Sequence, residues 1–450
     1  MAGSIRFSAV RRQSRGFHRA FWLLAGVLCA GVSLAEEAED WNAKFQSTYV
    51  WQRQNAFAAA YSGANSLLPD RAKSYSFSAT AAFGWRPWSG GELYYDEEAV
   101  QGVALSGQAG LGGFSNGEIA RTSGPNLKFY RARFFLRQTW DLGDAREAVD
   151  SDANQLAGSV AKRRLVLTVG NFSVLDIFAS NTYSHDPRTQ FLNLALMTYG
   201  AYDYAADARG YSRGLALEWY ADDWVLRGGR FLQPKEANGK LLDPSLRQHY
   251  GDQLEIEHAH TLGDLSGKLQ LLGFRNHARM ARFADALADA ALYGGPPDIN
   301  RVRNGDQTKR GFGVNLEQAL TADLGLFARY SRSDGKTETY AFTEIDRSLS
   351  TGLVLHGNAW GRAQDVVGLA FARDGLSKEH RDYLAAGGLG FFLGDGRLDY
   401  RQEAIVEGYY NLAVSKYHQL TLDWQHIANP GYNADRGPVN LFAMRLHAEF

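Results

Sequence analysis

The sequence predicts an all-β protein, a transmembrane antiparallel β-barrel, and three observations carry that reading. Apolar and polar residues alternate with a period of two in up to eighteen segments, each roughly the ~9–11 residues that a tilted strand needs to cross a bilayer. Tryptophan stands at segment ends, as at Trp41, Trp51, Trp85, Trp140 and Trp219, which fits the aromatic girdles at the two membrane interfaces. The chain closes on a strand whose Phe442, Met444, Leu446, Ala448 and terminal Phe450 share one face. A soluble sandwich or propeller also uses alternating strands, but it gives no reason for tryptophan at the ends or for an aromatic terminus.

Composition narrows the alternatives. The 450 residues carry 48 basic and 49 acidic side chains, a net charge of −1, and nucleic-acid binding calls for a basic face. One cysteine excludes a disulfide framework and a cysteine-built zinc site. No run of eighteen apolar residues occurs, so a bundle of membrane helices is excluded. Residues 1–19 contain Arg6, Arg11, Arg12, Arg15 and Arg19 and no acid; AFWLLAGVLCAGVSLA follows at 20–35, and then EEAED. A basic start, a short apolar run and a small-residue end describe a secretory leader. The expected organisation is a signal peptide over 1–35 and one barrel domain over 36–450. Removing the leader takes five arginines and the only cysteine, leaving a net charge of −6. Cys29 follows Leu28, where a lipid-attachment site needs a small residue.

The first segment, WNAKFQSTYVWQ, places Trp41, Ala43, Phe45, Tyr49 and Trp51 on one face. Asn42, Lys44, Gln46, Thr48 and Gln52 share the other. Tyr75, Phe77, Ala79, Ala81, Phe83 and Trp85 repeat the pattern. It recurs near 129–142, 163–171, 212–221, 223–232, 249–261, 266–276, 310–321, 323–332, 347–356, 364–374, 386–394, 416–427 and 438–450, and more weakly at 91–97, 190–199 and 400–410. Three insertions interrupt it: a glycine-rich stretch at 98–127, an acidic and polar one at 143–161, and 278–308, where Met280, Phe283, Ala284, Leu287 and Ala291 have helical spacing. Insertions of this kind are expected at the outer mouth or folded into the pore.

The polar face carries the candidate site. Along 129–142, Tyr130, Ala132, Phe134, Leu136 and Trp140 alternate with Arg131, Arg133 and Arg137. An arginine at the bilayer midplane on the lipid side costs ~2–4 kcal/mol, so the arginine row is expected in the lumen. The same alternation assigns Arg164, Arg329, Glu255, Glu257 and Asp423 to the lumen, with Asn315, Glu317, Gln419, Gln425, Arg445, His447 and Glu449. Both signs of charge are present, together with aromatic rings. That mixture suits neutral polyols, which offer hydroxyls to charged groups and C–H faces to rings, held weakly enough to leave again. Structural balancing of charge and setting of pore width is the other use for such residues.

Other motifs carry less. GYSRG at 210–214 matches a nucleophile elbow, but a further strand, LALEWY, follows instead of a helix. His258 and His260 lie two apart on one strand without a third ligand at a convincing spacing. GLGGF at 110–114 has no following lysine or helix. No catalytic residue, cofactor or metal is expected.

Seven segments stand in order as a set: DWNAKFQSTYVWQ (40–52), YSGANSL (61–67), GGELYYDEEAVQG (90–102), FYRARFFLRQTWDLG (129–143), GNFSVLDIFASNTYSHDPRTQFLN (170–193), RGYSRGLALEW (209–219) and NPGYNADRGPVNLFAMRLHAEF (429–450). Together they resemble the OprB-like carbohydrate-selective porins of Gram-negative outer membranes, over roughly 40–450. The resemblance implies sixteen strands, with eighteen possible from the segment count, and passive diffusion of mono- or oligosaccharides into the periplasm. It puts Arg131, Arg133 and Arg137 at the constriction and aligns the family's D-P-R-T-Q-F stretch with Asp186–Phe191. Val174–Phe178 departs from the relatives, which place more acids around the phenylalanine. The implied partners are sugars, outer-membrane lipids and lipopolysaccharide, and the barrel-assembly machinery through the strand ending at Phe450, with the protein a monomer or homotrimer. A general non-selective porin, a barrel enzyme and a closed binding barrel are the competing readings.

Overall fold

Alternation along the first strand sets the plan of the wall. In the computed structural model, which describes residues 38–119 and 123–450, Trp41–Gln54 (β1) turns Trp41, Phe45 and Tyr49 outward and buries Asn42, Gln46, Thr48 and Gln52. Ala72–Trp88 (β2) lines the inside with Ser74, Ser76, Ser78 and Thr80. The last strand, Val439–Glu449 (β18), shows Phe442, Met444 and Leu446 outside and holds Arg445 and His447 inside. An apolar outside and a polar inside invert the plan of a soluble protein and match lipid around a water-filled lumen. Residues 1–35, the expected leader, lie outside the described residues.

The remaining strands are Gly91–Val103 (β3), Lys128–Asp141 (β4), Arg146–Val149 (β5), Gly158–Ala161 (β6), Arg164–Phe172 (β7), Ser212–Ala221 (β8), Trp224–Leu232 (β9), Tyr250–Leu262 (β10), Leu265–Arg279 (β11), Asp306–Ala319 (β12), Leu324–Ser333 (β13), Arg347–Gly357 (β14), Arg362–Gly375 (β15), Glu403–Ser415 (β16) and His418–Ala428 (β17). Among the described residues, sixteen strands close one antiparallel barrel in sequence order, with β5 and β6 forming a separate hairpin. Closure joins β1 to β18, with Gln46 opposite Glu449. The terminal residue extends the seam: Phe450 N–H donates to the Phe45 carbonyl at 2.9 Å, and its ring stacks on Tyr417 at 5.2 Å. Full closure leaves no unpaired edge facing lipid.

Two of the eighteen expected segments are not strands. Residues 190–199 are buried on both alternating faces, with Phe191, Leu192, Leu194, Ala195 and Leu196 all enclosed, because they run inside the lumen, where Leu194–Met197 makes one helical turn (α1). Residues 386–394 contain Gly387 and Gly394 at positive φ, and the N–H groups of Phe391, Phe392 and Leu393 turn onto the Glu344 carboxylate. The weak segments at 91–97 and 400–410 belong to full strands of 13 residues each.

Strand parity decides which end each insertion occupies. One end carries short turns such as Asp222-Asp223, Gly263-Asp264 and Lys416-Tyr417, together with both ends of the barrel chain. Trp41, Trp85, Trp140, Trp219 and Trp224 ring that end. The insertion at 143–161 lies there too, not at the long-loop mouth, and its Leu156 packs into the lumen, with the Leu156 N–H donating to the Tyr94 hydroxyl at 3.2 Å. The other insertions lie at the long-loop end. Helix Phe283–Tyr293 (α2) forms within 278–308 as expected and packs Phe283 on His380 of helix Lys378–Ala385 (α3), at 4.3 Å between rings.

A register shift corrects the arginine row. Asp96 pairs with Arg133 and Glu97 with Arg131, leaving Ala132 without a partner. Such a bulge adds one residue and reverses the alternation beyond it. Arg131 therefore faces outward, its guanidinium 5.6 Å from the Phe134 ring centre, while Tyr130 turns inward and Arg133 and Arg137 keep their expected side. Strict period-two reading cannot anticipate this, because the extra residue changes no residue type.

The lipid-facing assignment makes a direct prediction. Leu271 stands outward and 48% exposed in β11. Leu271→Arg is expected to lower the unfolding free energy of the vesicle-inserted barrel by about 2–4 kcal/mol, measured by urea titration.

Candidate functional site: the channel constriction

Residues 173–211, between β7 and β8, turn into the lumen. The turn opens with a reciprocal cap: Asp176 accepts from the Ser173 N–H at 2.9 Å, and the Ser173 hydroxyl accepts from the Leu175 N–H at 3.3 Å. Beyond it the chain has no neighbouring strand, yet its buried N–H and carbonyl groups still need partners. The wall supplies them. Glu255 accepts from the Ala179 N–H at 2.8 Å and Glu317 from the Thr182 N–H at 2.7 Å. Glu407 accepts from the N–H groups of Leu192 and Asn193, the latter at 3.0 Å. Arg329 donates to the carbonyls of Ser184 and Leu196, the latter at 2.6 Å, and Arg445 to that of Pro187 at 2.6 Å. Charged groups make stronger hydrogen bonds than neutral ones, which suits a loop with no sheet to hold it.

Wall glycines make room for the loop's aromatic rings. A Cβ on Gly313 would come within 2.6 Å of the Tyr199 ring, and one on Gly325 within 2.0 Å of the Tyr183 ring. The glycine-rich insertion folds in beside it: Gly117 N–H donates to the Leu192 carbonyl at 2.7 Å, Leu194 N–H to the Phe114 carbonyl at 2.9 Å, and Gly112 N–H to Glu403 at 3.1 Å. Two loops thus fill much of the lumen and narrow the passage.

Charged groups that stay partly open lie on the β3–β4 side. Arg133 pairs with Asp176 at 2.7 Å and with Asp96 at 3.1 Å. Arg188, on the inward loop, pairs with Glu118 at 3.0 Å and approaches Glu98 to 3.6 Å. Glu98 also accepts from the Tyr130 and Tyr211 hydroxyls, the latter at 3.0 Å. The guanidinium of Arg133 lies 5.3 Å from the Tyr211 ring centre, and that of Arg209 lies 5.1 Å from the Tyr130 ring centre. Side-chain exposure is 18% for Arg133, 27% for Asp176 and 25% for Arg188, whereas Glu255 and Glu407 are fully enclosed. Burial works to raise the Asp176 carboxyl, but Arg133 outweighs it and holds the group below the usual carboxylate range. Burial raises Glu118 against the opposing pull of Arg188. Asp176 therefore keeps its charge to lower pH than Glu118.

The expected lumen residues divide into three sets. Arg133 and Arg137 face the open lumen; Arg137 donates to the Asn154 carbonyl at 3.0 Å and lies 5.1 Å from the Tyr94 ring centre. Arg164 sits at the short-turn rim, 2.7 Å from Glu147 and 3.7 Å from the Tyr220 ring centre. Glu255, Glu257, Arg329 and Asp423 are buried in the wall. Arg227 joins Glu255 to Glu257 at 3.0 and 2.9 Å, and Asp423 lies beside Gln425 under the inward loop. Arg131 is outside altogether. Asp96, Glu98, Glu118, Asp176, Arg188 and Tyr211 were not among the expected site residues. The acids at 96–98 lie on β3, whose alternation is weak in the sequence, and the arginine of D-P-R-T-Q-F lies on a loop, which has no period to point it inward. Among the described residues, no group of three or more His, Cys, Asp or Glu side chains is arranged to hold a metal ion.

Pinning can be tested. Arg329→Met leaves the buried Ser184 carbonyl without a donor, at about 1–3 kcal/mol, and leaves the Leu196 carbonyl with only the Ser184 hydroxyl. The expected result is a higher and noisier single-channel conductance in planar bilayers; Arg329→Lys should recover part of the wild-type behaviour.

The fold has relatives among known proteins. The high-pH structure of Pseudomonas putida OprB superposes with a TM-score of 0.69 at 17% identity, covering 91% of this chain and 94% of that one. The low-pH structure of the same protein gives 0.48 at 13% identity, covering 91% and 93%. Acinetobacter baumannii OccAB1 gives 0.49 at 11% identity, covering 92% and 99%. A search of curated proteins finds no match. The model of the OprB family of carbohydrate-selective porins matches residues 75–450, and the chain belongs to that family.

Proposed function

We propose that sugars are selected where Arg133 and Asp176 stand near Arg188 and Glu118. The protein is a carbohydrate-selective porin of the Gram-negative outer membrane. Short turns of such barrels face the periplasm and long loops the exterior. The single observation that carries the reading is the pairing of the partly open Arg133 and Arg188 with the carboxylates of Asp176 and Glu118 beside the Tyr130 and Tyr211 rings. Every charge there already has a partner, so a neutral polyol can exchange hydrogen bonds with the network without stripping a bare ion. A charged solute must disturb one member of a pair. The tyrosine rings offer apolar faces to the sugar C–H groups. Passage is passive, with no chemical step, so the protein acts as a channel and not as an enzyme. Residues 1–35 serve as the export signal, and the strand ending at Phe450 addresses the assembly machinery.

Liposome swelling with glucose, a disaccharide and a charged solute of similar size tests the selectivity. Faster swelling with sugars is expected; equal rates for all three would reduce the protein to a general porin. Arg133→Ala should change sugar flux and conductance, whereas Arg131→Ala, on the outer face, should leave both at wild-type values. Equal effects of the two substitutions would overturn the assignment.

Protonation supplies a further test. Glu118 titrates above the ordinary carboxylate range while Asp176 stays ionised. Lowering pH from 7 through the Glu118 titration therefore neutralises it ahead of Asp176 and leaves Arg188 in excess. The reversal potential in a KCl gradient should move toward anion preference over that window, and Glu118→Gln should show the shifted value already at pH 7.

A further inference from the structure

The lipid-facing wall carries a belt of unneutralised cations at its long-loop end. Cross-strand register sets like charges side by side: Arg53 opposite Lys73, Arg332 opposite Arg347, and Arg275 opposite Arg310. Like charges in direct opposition destabilise a sheet. Arg275 shares Asp252 with Arg230, at 2.5 and 2.7 Å. Arg53, Lys73, Arg310, Arg332 and Arg347 make no ion pair among the described residues. Each of these five is exposed, and on β12, β13 and β14 the next outward residue toward the membrane is apolar: Phe312, Tyr330 and Leu349. The cations thus mark the edge of the apolar band. The opposite end is different in sign, with Asp222, Asp223, Asp264 and Asp323 in its short turns.

The belt deepens into a cavity at one sector. A hollow of about 210 Å³ is lined by Arg332 and Arg347 of the wall and by Lys378 and Arg381 of α3. Asp334 and Asp346 also line it. Asp346 is already engaged by His380 at 3.0 Å and by the Ser377 N–H at 2.8 Å, and Lys378 reaches Asp382 at 2.5 Å. Arg332 and Arg347 remain without counter-ions beside each other.

We infer that this belt, and the Arg332–Arg347–Arg381 hollow above all, binds the phosphate groups of the phosphorylated glycolipid of the outer leaflet, lipopolysaccharide. Charge complementarity selects the partner. Paired guanidinium forks match phosphate geometry, the site lies at headgroup height, and the apolar residues directly below accept acyl chains. Free phosphate lacks that second contact. The inference rests on the outward placement of the long loops and is independent of sugar selection.

The test uses the full barrel in detergent micelles, with native mass spectrometry of added bis-phosphorylated lipid A, dephosphorylated lipid A and inorganic phosphate. The wild type should retain the phosphorylated lipid at least tenfold more than the dephosphorylated one, and equimolar inorganic phosphate should not displace it. R332Q/R347Q/R381Q should lose at least tenfold in retention, R332K/R347K/R381K should keep most of it, and Lys416→Gln at the short-turn end should behave as wild type. Heat-modifiable gel mobility and unchanged conductance confirm that the variants are folded and open, which separates this result from any failure of the sugar reading. Equal retention of the two lipids, equal retention by the glutamine variant, or displacement by inorganic phosphate would overturn the inference.

Discussion

Every buried N–H and carbonyl of a chain folded inside a barrel must find a partner that is not a strand, and the structure depends on how the wall meets that demand. Barrel strands satisfy one another through the closed ladder. The loop at 173–211 has no such neighbour, so its backbone groups end on side chains of the wall. Glu255, Glu317 and Glu407 take its amides; Arg329 and Arg445 take its carbonyls. A buried charge is costly unless it is hydrogen-bonded, and these bonds offset that cost while holding the loop in place. The same side chains therefore stabilise themselves and the constriction.

Two populations of lumen charge follow. One is enclosed and structural, as at Glu255, Arg329 and Glu407. The other is partly open and lies where the loop meets β3 and β4: Arg133, Asp176 and Arg188, with the more enclosed Glu118 paired to Arg188. The distinction is one of access to the lumen and not of residue type. Both kinds belong to the same alternating face, and an alternating polar face is all that a barrel needs to enclose water. Narrowing that water to a constricted passage requires the loop, and the loop requires the first population.

The outer surface follows its own division. Tryptophans ring the short-turn end, the apolar band stands between, and cations ring the long-loop end. Arg131 belongs to this outer surface because one bulge between Asp96 and Glu97 reverses the alternation of β4. A row of three arginines that reads as a single functional unit in the sequence is thus divided between lumen and lipid headgroup region.

The barrel is legible in consecutive residues. Period-two alternation, segment length, tryptophan at the ends and the terminal strand are local consequences of lipid outside and water inside, and each is visible in a few consecutive residues. The sequence also placed Arg133, Arg137, Glu255, Glu257, Arg329 and Asp423 on the inner face, since alternation alone decides the side. Three things were decided only by tertiary structure. The segments at 190–199 and 386–394 alternate like strands but run as loops, because hydropathy does not record whether a neighbour is available to pair. The bulge that turns Arg131 outward depends on the register of two strands against each other. The constriction draws Asp176 and Arg188 from a loop and Glu118 from another, and meets Arg133 only after the chain has crossed the lumen. Side is a local property with a period of two; proximity across an enclosed lumen is not, and it follows only from where the inward loops find partners for their backbone.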